Sequence, residues 1–206
     1  MFSYITRRAL IKAGISIGAA GSAVVSQADQ PPEKTASDWL EQVLSTKSLD
    51  APLQLSRFVE PIYYTLKPFT WTPNKDNGPS YSAVTVPEGF ITDLASIPRA
   101  LFSVLRPDGE YAQAAIVHDY LYWTQRTTRE YADDVFRIAM RDLEVSPPQI
   151  TFIIEAVKEF GDGAWKQNQK LKEKGERRFL KEKPTKAVTR WKEWKRTPEH
   201  FYPNDL

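Results

Sequence analysis

Between Glu110 and Arg126 the side chains are almost all apolar or aromatic, and only His118 and Asp119 carry charge readily near neutral pH. A helix that is apolar all round cannot lie on a surface, so the segment up to Trp123 must run through the centre of a domain. That requires enough chain to surround it. The 206 residues, 41% hydrophobic and 12% aromatic, suffice for one ordinary domain with a core and appendages. The 26% charged residues exclude a polytopic membrane protein, and the aromatic content argues against wholesale disorder. Burying the adjacent His118 and Asp119 is costly unless both find polar partners.

Strand-forming sequence precedes the helical part. Phe58 to Leu66 and Phe69 to Thr72 are rich in aromatic and β-branched residues, and Tyr81 to Val86 alternates as a half-buried strand does. Pro61 and Pro68 place the first strands at an edge or at bulges, and Pro87-Glu88-Gly89 makes a turn. Pro98 suits the first position of a helix. Asp108 is an expected N-cap for the central helix. Thr127-Thr128-Arg129-Glu130 fits a capping box opening a second helix, whose apolar residues Ala132, Val135, Phe136, Ala139, Met140 and Leu143 share one face. A third helix is expected from about Gln149 to Phe160, stopped by Gly161-Asp162-Gly163. Strands followed by helices predict an α+β domain: a small antiparallel sheet, then a buried helical layer, then a basic helical C-terminal extension.

The ends are marked by charge and composition. Arg7-Arg8, the small-residue apolar run Ala13 to Val25 and Ser26-Gln27-Ala28 have the anatomy of a signal peptide cleaved near Ala28. The run is short and carries Gly14, Gly18 and Gly21, which weakens it as a membrane span; an uncleaved inner-membrane anchor is the alternative. Arg7-Arg8 with Leu10-Ile11-Lys12 resembles the twin-arginine export signal. That resemblance implies contact with the twin-arginine machinery and a folded, periplasmic or otherwise exported product. The expected organisation is a signal over 1–28, a linker and short helix led by Asp38 over 29–48, a core domain over 49–163 and an extension over 164–206. Residues 29–163 carry a net charge of −8 and residues 164–206 a net of +7. The basic extension holds Trp165, Trp191 and Trp194, with helices expected over 164–183, interrupted at Gly175, and over 186–195. It suits an anionic envelope surface, or wraps the acidic body of its own chain. Export disfavours nucleic acid as its partner.

The absence of cysteine rules out disulfides, thiolate zinc sites and cysteine nucleophiles, and His118 and His200 are too few for a multi-histidine metal site. Candidate chemistry therefore centres on His118 and Asp119, with Asp93 and Ser96 from the strand-to-helix segment and Asp133 from the second helix. Asp133 sits roughly 85° from the centre of its helix's apolar face and borders the core, whereas Asp134 points to solvent. Three readings are open. His118 serves as general base oriented by a carboxylate; or His118, Asp93 and Asp133 hold one divalent metal ion; or the cluster is a buried hydrogen-bond network with Asp93 capping a helix. Ser96 as a nucleophile lacks the nucleophile-elbow pattern.

Three stretches, Val86 to Arg99 (with Thr92-Asp93-Leu94-Ala95-Ser96-Ile97-Pro98), Ala115 to Tyr122 (with His118-Asp119-Tyr120) and Ala132 to Phe136 (with Asp133-Asp134), resemble the family catalogued as domain of unknown function 1353, found in bacteria and their phages. The resemblance spans roughly residues 55–160 and implies the module without an activity. Two functions follow as expectations: an exported hydrolase of a cell-wall polymer using the His/Asp cluster, or a non-enzymatic envelope or phage-derived assembly module in which that cluster is structural.

Overall fold

The computed structural model describes residues 52–77, 80–94 and 111–203. The expected signal, linker and short helix, and Ser96, Pro98 and Asp108, lie outside the described residues. Five short strands are followed by helices, an α+β arrangement. Strands β1 (Leu55–Arg57), β2 (Tyr63–Thr65) and β5 (Ile91–Thr92) form an antiparallel sheet in the order β1-β2-β5. Strands β3 (Phe69–Trp71) and β4 (Val84–Val86) form an antiparallel pair in which Thr70 lies opposite Thr85. The expected strand from Phe58 to Leu66 is instead the turn and second strand of the β1–β2 hairpin. Pro61 falls in its turn, where proline's missing N–H costs no ladder bond.

Helix α1 (Ala112–Thr124) is the central helix that its composition demands, with nearly every residue buried. It begins after Tyr111 rather than Asp108 and ends at Gln125 in a left-handed conformation. Helix α2 (Arg129–Asp142) opens one residue later than a capping box at Thr127 requires. Thr128 is the N-cap and accepts from Tyr131 N, so Glu130 is not placed to reciprocate. At the other end of α2, Asp142 accepts from Trp71 Nε1 at 3.2 Å and from Asn74 Nδ2 at 3.0 Å, which ties the β3 loop to the helix.

Helix α3 (Pro147–Glu173) corrects the expected stop at Gly161-Asp162-Gly163, because it runs through all three residues. A Cβ on Gly161 would stand 2.6 Å from Tyr122 Oη, so this glycine marks a close helix crossing and not a helix end. The helix also passes through position 163, where a change of segment was expected. Beyond it, the helix expected over 186–195 shortens to α4 (Trp191–Trp194). Among the described residues no helix is long and apolar enough to cross a membrane.

The sheet separates two cores. Phe90 and Phe179 join the large core around α1, which includes Trp71, Val86, Ile116, Trp123, Phe136, Met140 and Ile153. Ile91 and Leu180, one residue on, join a smaller core with Phe58, Tyr64 and Phe201, covered by Trp191 and Trp194. This alternation is what a strand between two layers produces, since successive side chains point to opposite faces. The C-terminal chain extends the sheet: Phe179 bridges Phe90, and Leu180 bridges Phe201. Gly89 makes the approach possible. Its φ is +80°, its carbonyl accepts from Leu180 N at 2.9 Å, and a Cβ there would lie 2.5 Å from the Leu180 carbonyl oxygen. The basic extension thus packs on its own acidic body. Lys183 pairs with Glu88, and the Glu60 carboxylate accepts from Trp191 N at 2.8 Å at the start of α4.

Candidate functional site

His118 lies on the face of α1 that meets α2. Its Nε2 is 3.0 Å from Asp133 Oδ1. Tyr122, one turn further along α1, donates its hydroxyl to the same oxygen at 2.6 Å. Arg129, one turn before Asp133 on α2, donates from Nη1 to Asp133 Oδ2 at 2.8 Å. Three donors therefore converge on one carboxylate at the junction of α1 and α2. Asp133 is 18% exposed and Asp134 is 48% exposed, the contrast expected from their angular positions. The His118 ring stacks on Phe136 at 4.5 Å between centroids and lies 4.1 Å from the Tyr122 ring.

This environment sets protonation. Burial lowers the His118 pKa below the ordinary histidine value, against the opposing pull of Asp133. Burial and the neighbouring Asp133 charge raise the Tyr122 phenol well above the usual tyrosine range, so it stays a donor. With a carboxylate facing Nε2, the proton of the neutral ring belongs on Nε2 and the lone pair on Nδ1. Nδ1 is buried and has no hydrogen-bond partner among the described residues.

His118 forms part of the wall of a cavity of about 300 Å³ between α1 and α3. Asp93, Asp119 and Arg178 also line it, and Ile153, Val157 and Phe160 give it an apolar side. Asp119 accepts the Thr92 hydroxyl at 2.5 Å, and Thr92 Oγ1 in turn accepts from Leu94 N at 2.9 Å. That bond accompanies a left-handed Leu94, with φ at +62°, an uncommon conformation for a buried leucine. Asp93 is held between these two residues, directly beside β5.

Among the sequence candidates, the structure therefore brings His118 and Asp133 into direct contact, and places His118, Asp119 and Asp93 around one cavity. Asp133 stands behind His118, outside the cavity lining. Ser96 lies outside the described residues. The metal set His118, Asp93 and Asp133 does not assemble: among the described residues no three His, Asp or Glu side chains are grouped to hold an ion. Both Asp133 oxygens are instead engaged by His118, Tyr122 and Arg129. Sequence reasoning missed Tyr122 and Arg129, although each stands at the i, i+4 spacing that puts it beside His118 or Asp133 on its helix. It also missed Arg178, which no local pattern marks.

A family model described as "Protein of unknown function (DUF1353)" matches residues 72–157. The matched segment runs from the end of β3 into α3, and contains Asp93, His118, Asp119, Tyr122, Arg129 and Asp133. It stops short of Gly161 and Arg178, and it bears out the family resemblance carried by the three motifs. No curated protein and no solved structure matches the chain.

Proposed function

We propose that the cavity is the active site of an exported hydrolase of a cell-wall polymer, in which His118 is the general base and Asp133 positions it. The observation that carries this reading is the division of labour on one imidazole. Nε2 is held by Asp133, while Nδ1, in a ring at the cavity wall, has no hydrogen-bond partner among the described residues. Nδ1 has no accessible surface, so the cavity wall must first give way beside it; a water admitted there would give it a proton as its oxygen adds to a substrate carbonyl carbon. The C–N bond then breaks, and the same proton passes to the departing amine. Asp133 does not bond to substrate in this scheme; it holds the tautomer and stabilises the imidazolium as it forms. Arg129 and Tyr122 hold Asp133 in place through their hydrogen bonds to it.

Export through Arg7-Arg8 and cleavage near Ala28 would deliver the protein to the envelope, with the basic extension adding at most a salt-sensitive hold on anionic surfaces. Wall digestion by the mature protein and by His118→Ala tests the activity. The expected result is turnover that the substitution abolishes; turnover unaffected by it refutes the assignment. Intact-mass measurement after fractionation tests cleavage, which is refuted in favour of an anchored protein if Met1 or Phe2 remains on protein pelleting with membrane in high salt.

The triple engagement of Asp133 favours one other reading, a non-enzymatic envelope or assembly module in which the cluster locks α1 to α2. The two readings separate on stability, since His118→Ala melting at or above wild type removes the purely structural role.

A further inference from the structure

The basic extension wraps the body with one face and turns charge outward with the other. Its last two tryptophans are used on the inner face. The Trp191 ring lies 5.3 Å from that of Phe58, and Trp194 stacks on His200 at 3.7 Å, so neither is available to anchor the protein elsewhere. The outward face is led by a turn at residues 186–189. Thr189 N and Thr189 Oγ1 both donate to the Lys186 carbonyl, at 3.1 Å and 2.7 Å, and the Thr189 carbonyl accepts from Val59 N at 3.0 Å. The turn is thus closed on itself and pinned beside the chain that links β1 to β2. At its tip Val188 is 76% exposed, more than any other large apolar side chain among the described residues, and Val59 beside it is 38% exposed.

The charges around the two valines share one sign. From Lys186 to Lys192 the only charged residues are Lys186, Arg190 and Lys192, all basic and all exposed. Arg57 adds a fourth, since its Nη2 donates to the Val59 carbonyl at 3.2 Å. The Glu60 carboxylate next to them is occupied from within, accepting from Trp191 N at 2.8 Å and Lys192 N at 3.4 Å.

We propose that this turn docks on an anionic bilayer. Val188 and Val59 enter the boundary between headgroups and acyl chains, while Arg57, Lys186, Arg190 and Lys192 pair with lipid phosphates. The combination of features selects the partner. Cations alone would suit any polyanion, but exposed valines gain nothing from a hydrated polymer, whereas a bilayer favours both. Docking of this kind needs no crossing helix, and the described residues contain none. The proposal deepens the surface hold of the basic extension by naming its residues, and it does not depend on hydrolysis at His118.

The test is co-sedimentation of residues 29–206, which include every described residue, with vesicles of phosphatidylcholine alone and of an equal mixture with phosphatidylglycerol. Binding is expected to the mixed vesicles only, and should weaken as salt rises. Lys186→Gln combined with Arg190→Gln should weaken it by about tenfold or more, at roughly fivefold per charge near the surface. Val59→Ser combined with Val188→Ser should weaken it by about fivefold or more, yet leave retention on polyphosphate beads, which offer phosphate without a bilayer, unchanged. All four side chains are exposed, so neither double variant should lose the fold. Absence of binding to the mixed vesicles overturns the proposal on wild type alone. Valine variants that bind those vesicles as wild type does also overturn it, and would leave a surface for any polyanion. Vesicle binding without wall digestion would sink the hydrolase reading alone, and wall digestion without vesicle binding would sink this one alone.

Discussion

Gly161 on α3 and Tyr122 on α1 meet so closely that a Cβ on the glycine would stand 2.6 Å from the phenol oxygen and 3.3 Å from Arg129 Nη1. The phenol is the one that donates to Asp133, so the helix crossing and the polar cluster are one packing unit. Gly161→Ala is expected to destabilise by about 1–3 kcal/mol through overpacking. Gly163→Ala is the control. No described atom lies within 4 Å of its Cβ position, so alanine should add up to about 1 kcal/mol by helix propensity. Urea unfolding of both variants checks the contrast in sign.

Asp133→Ala removes the shared acceptor of His118, Tyr122 and Arg129 and is expected to cost about 3 kcal/mol. Tyr122→Phe, which removes one donor and leaves the carboxylate its other partners, should cost about 1 kcal/mol. Equal effects from the two changes would mean that Asp133 is not the hub.

The pH dependence has a defined sign. Burial lowers the His118 pKa in the folded protein, so the unfolded chain takes up a proton there at higher pH than the folded one. Stability is therefore fully present above the ordinary histidine value of about 6.5 and falls as pH drops through it, by at most about 1.4 kcal/mol per pH unit. Urea midpoints should be lower at pH 5 than at pH 7.5, and His118→Gln should shrink the difference. If His118 is the base, the acid limb of kcat/KM also lies below the ordinary histidine value, because the neutral ring persists to lower pH.

The contact of the C-terminal chain with β5 can be tested at two glycines. Gly89 and Gly175 both have positive φ, at +80° and +81°, so alanine costs about 1–2 kcal/mol of backbone strain at either. Only at Gly89 does the Cβ also meet the Leu180 carbonyl. Gly89→Ala should therefore destabilise clearly more than Gly175→Ala, and Leu180→Ala should cost about 2–5 kcal/mol. Equal melts for the two glycine variants would count against the close approach.

Much of this architecture was legible because local rules and global packing agree. The all-round apolar character of α1 announced a central helix, and the position of Asp133 at the edge of an apolar face announced a residue turned toward the core. The misreadings share a cause. Gly161 looked like a stop because glycine lowers helix propensity, but the tertiary gain from seating Tyr122 outweighs about 1 kcal/mol. Pro61 looked like a strand edge because the turn after Arg57 has no glycine to mark it. Arg178 was invisible because its place depends on pairing with Ile91, nearly ninety residues earlier, a contact that no spacing encodes.

Because Phe179 fills the large core while Leu180 and Phe201 fill the small one, translation order limits when the domain can close. During synthesis the central helix and its sheet emerge first, with Phe90 against Tyr120 and Ile91 beside Phe58 and Tyr64 but each still lacking its C-terminal partner. Phe179, Leu180 and Phe201, synthesised later, add the remaining cover. Both cores therefore close only once residues 179–201 have been made and folded back onto the sheet.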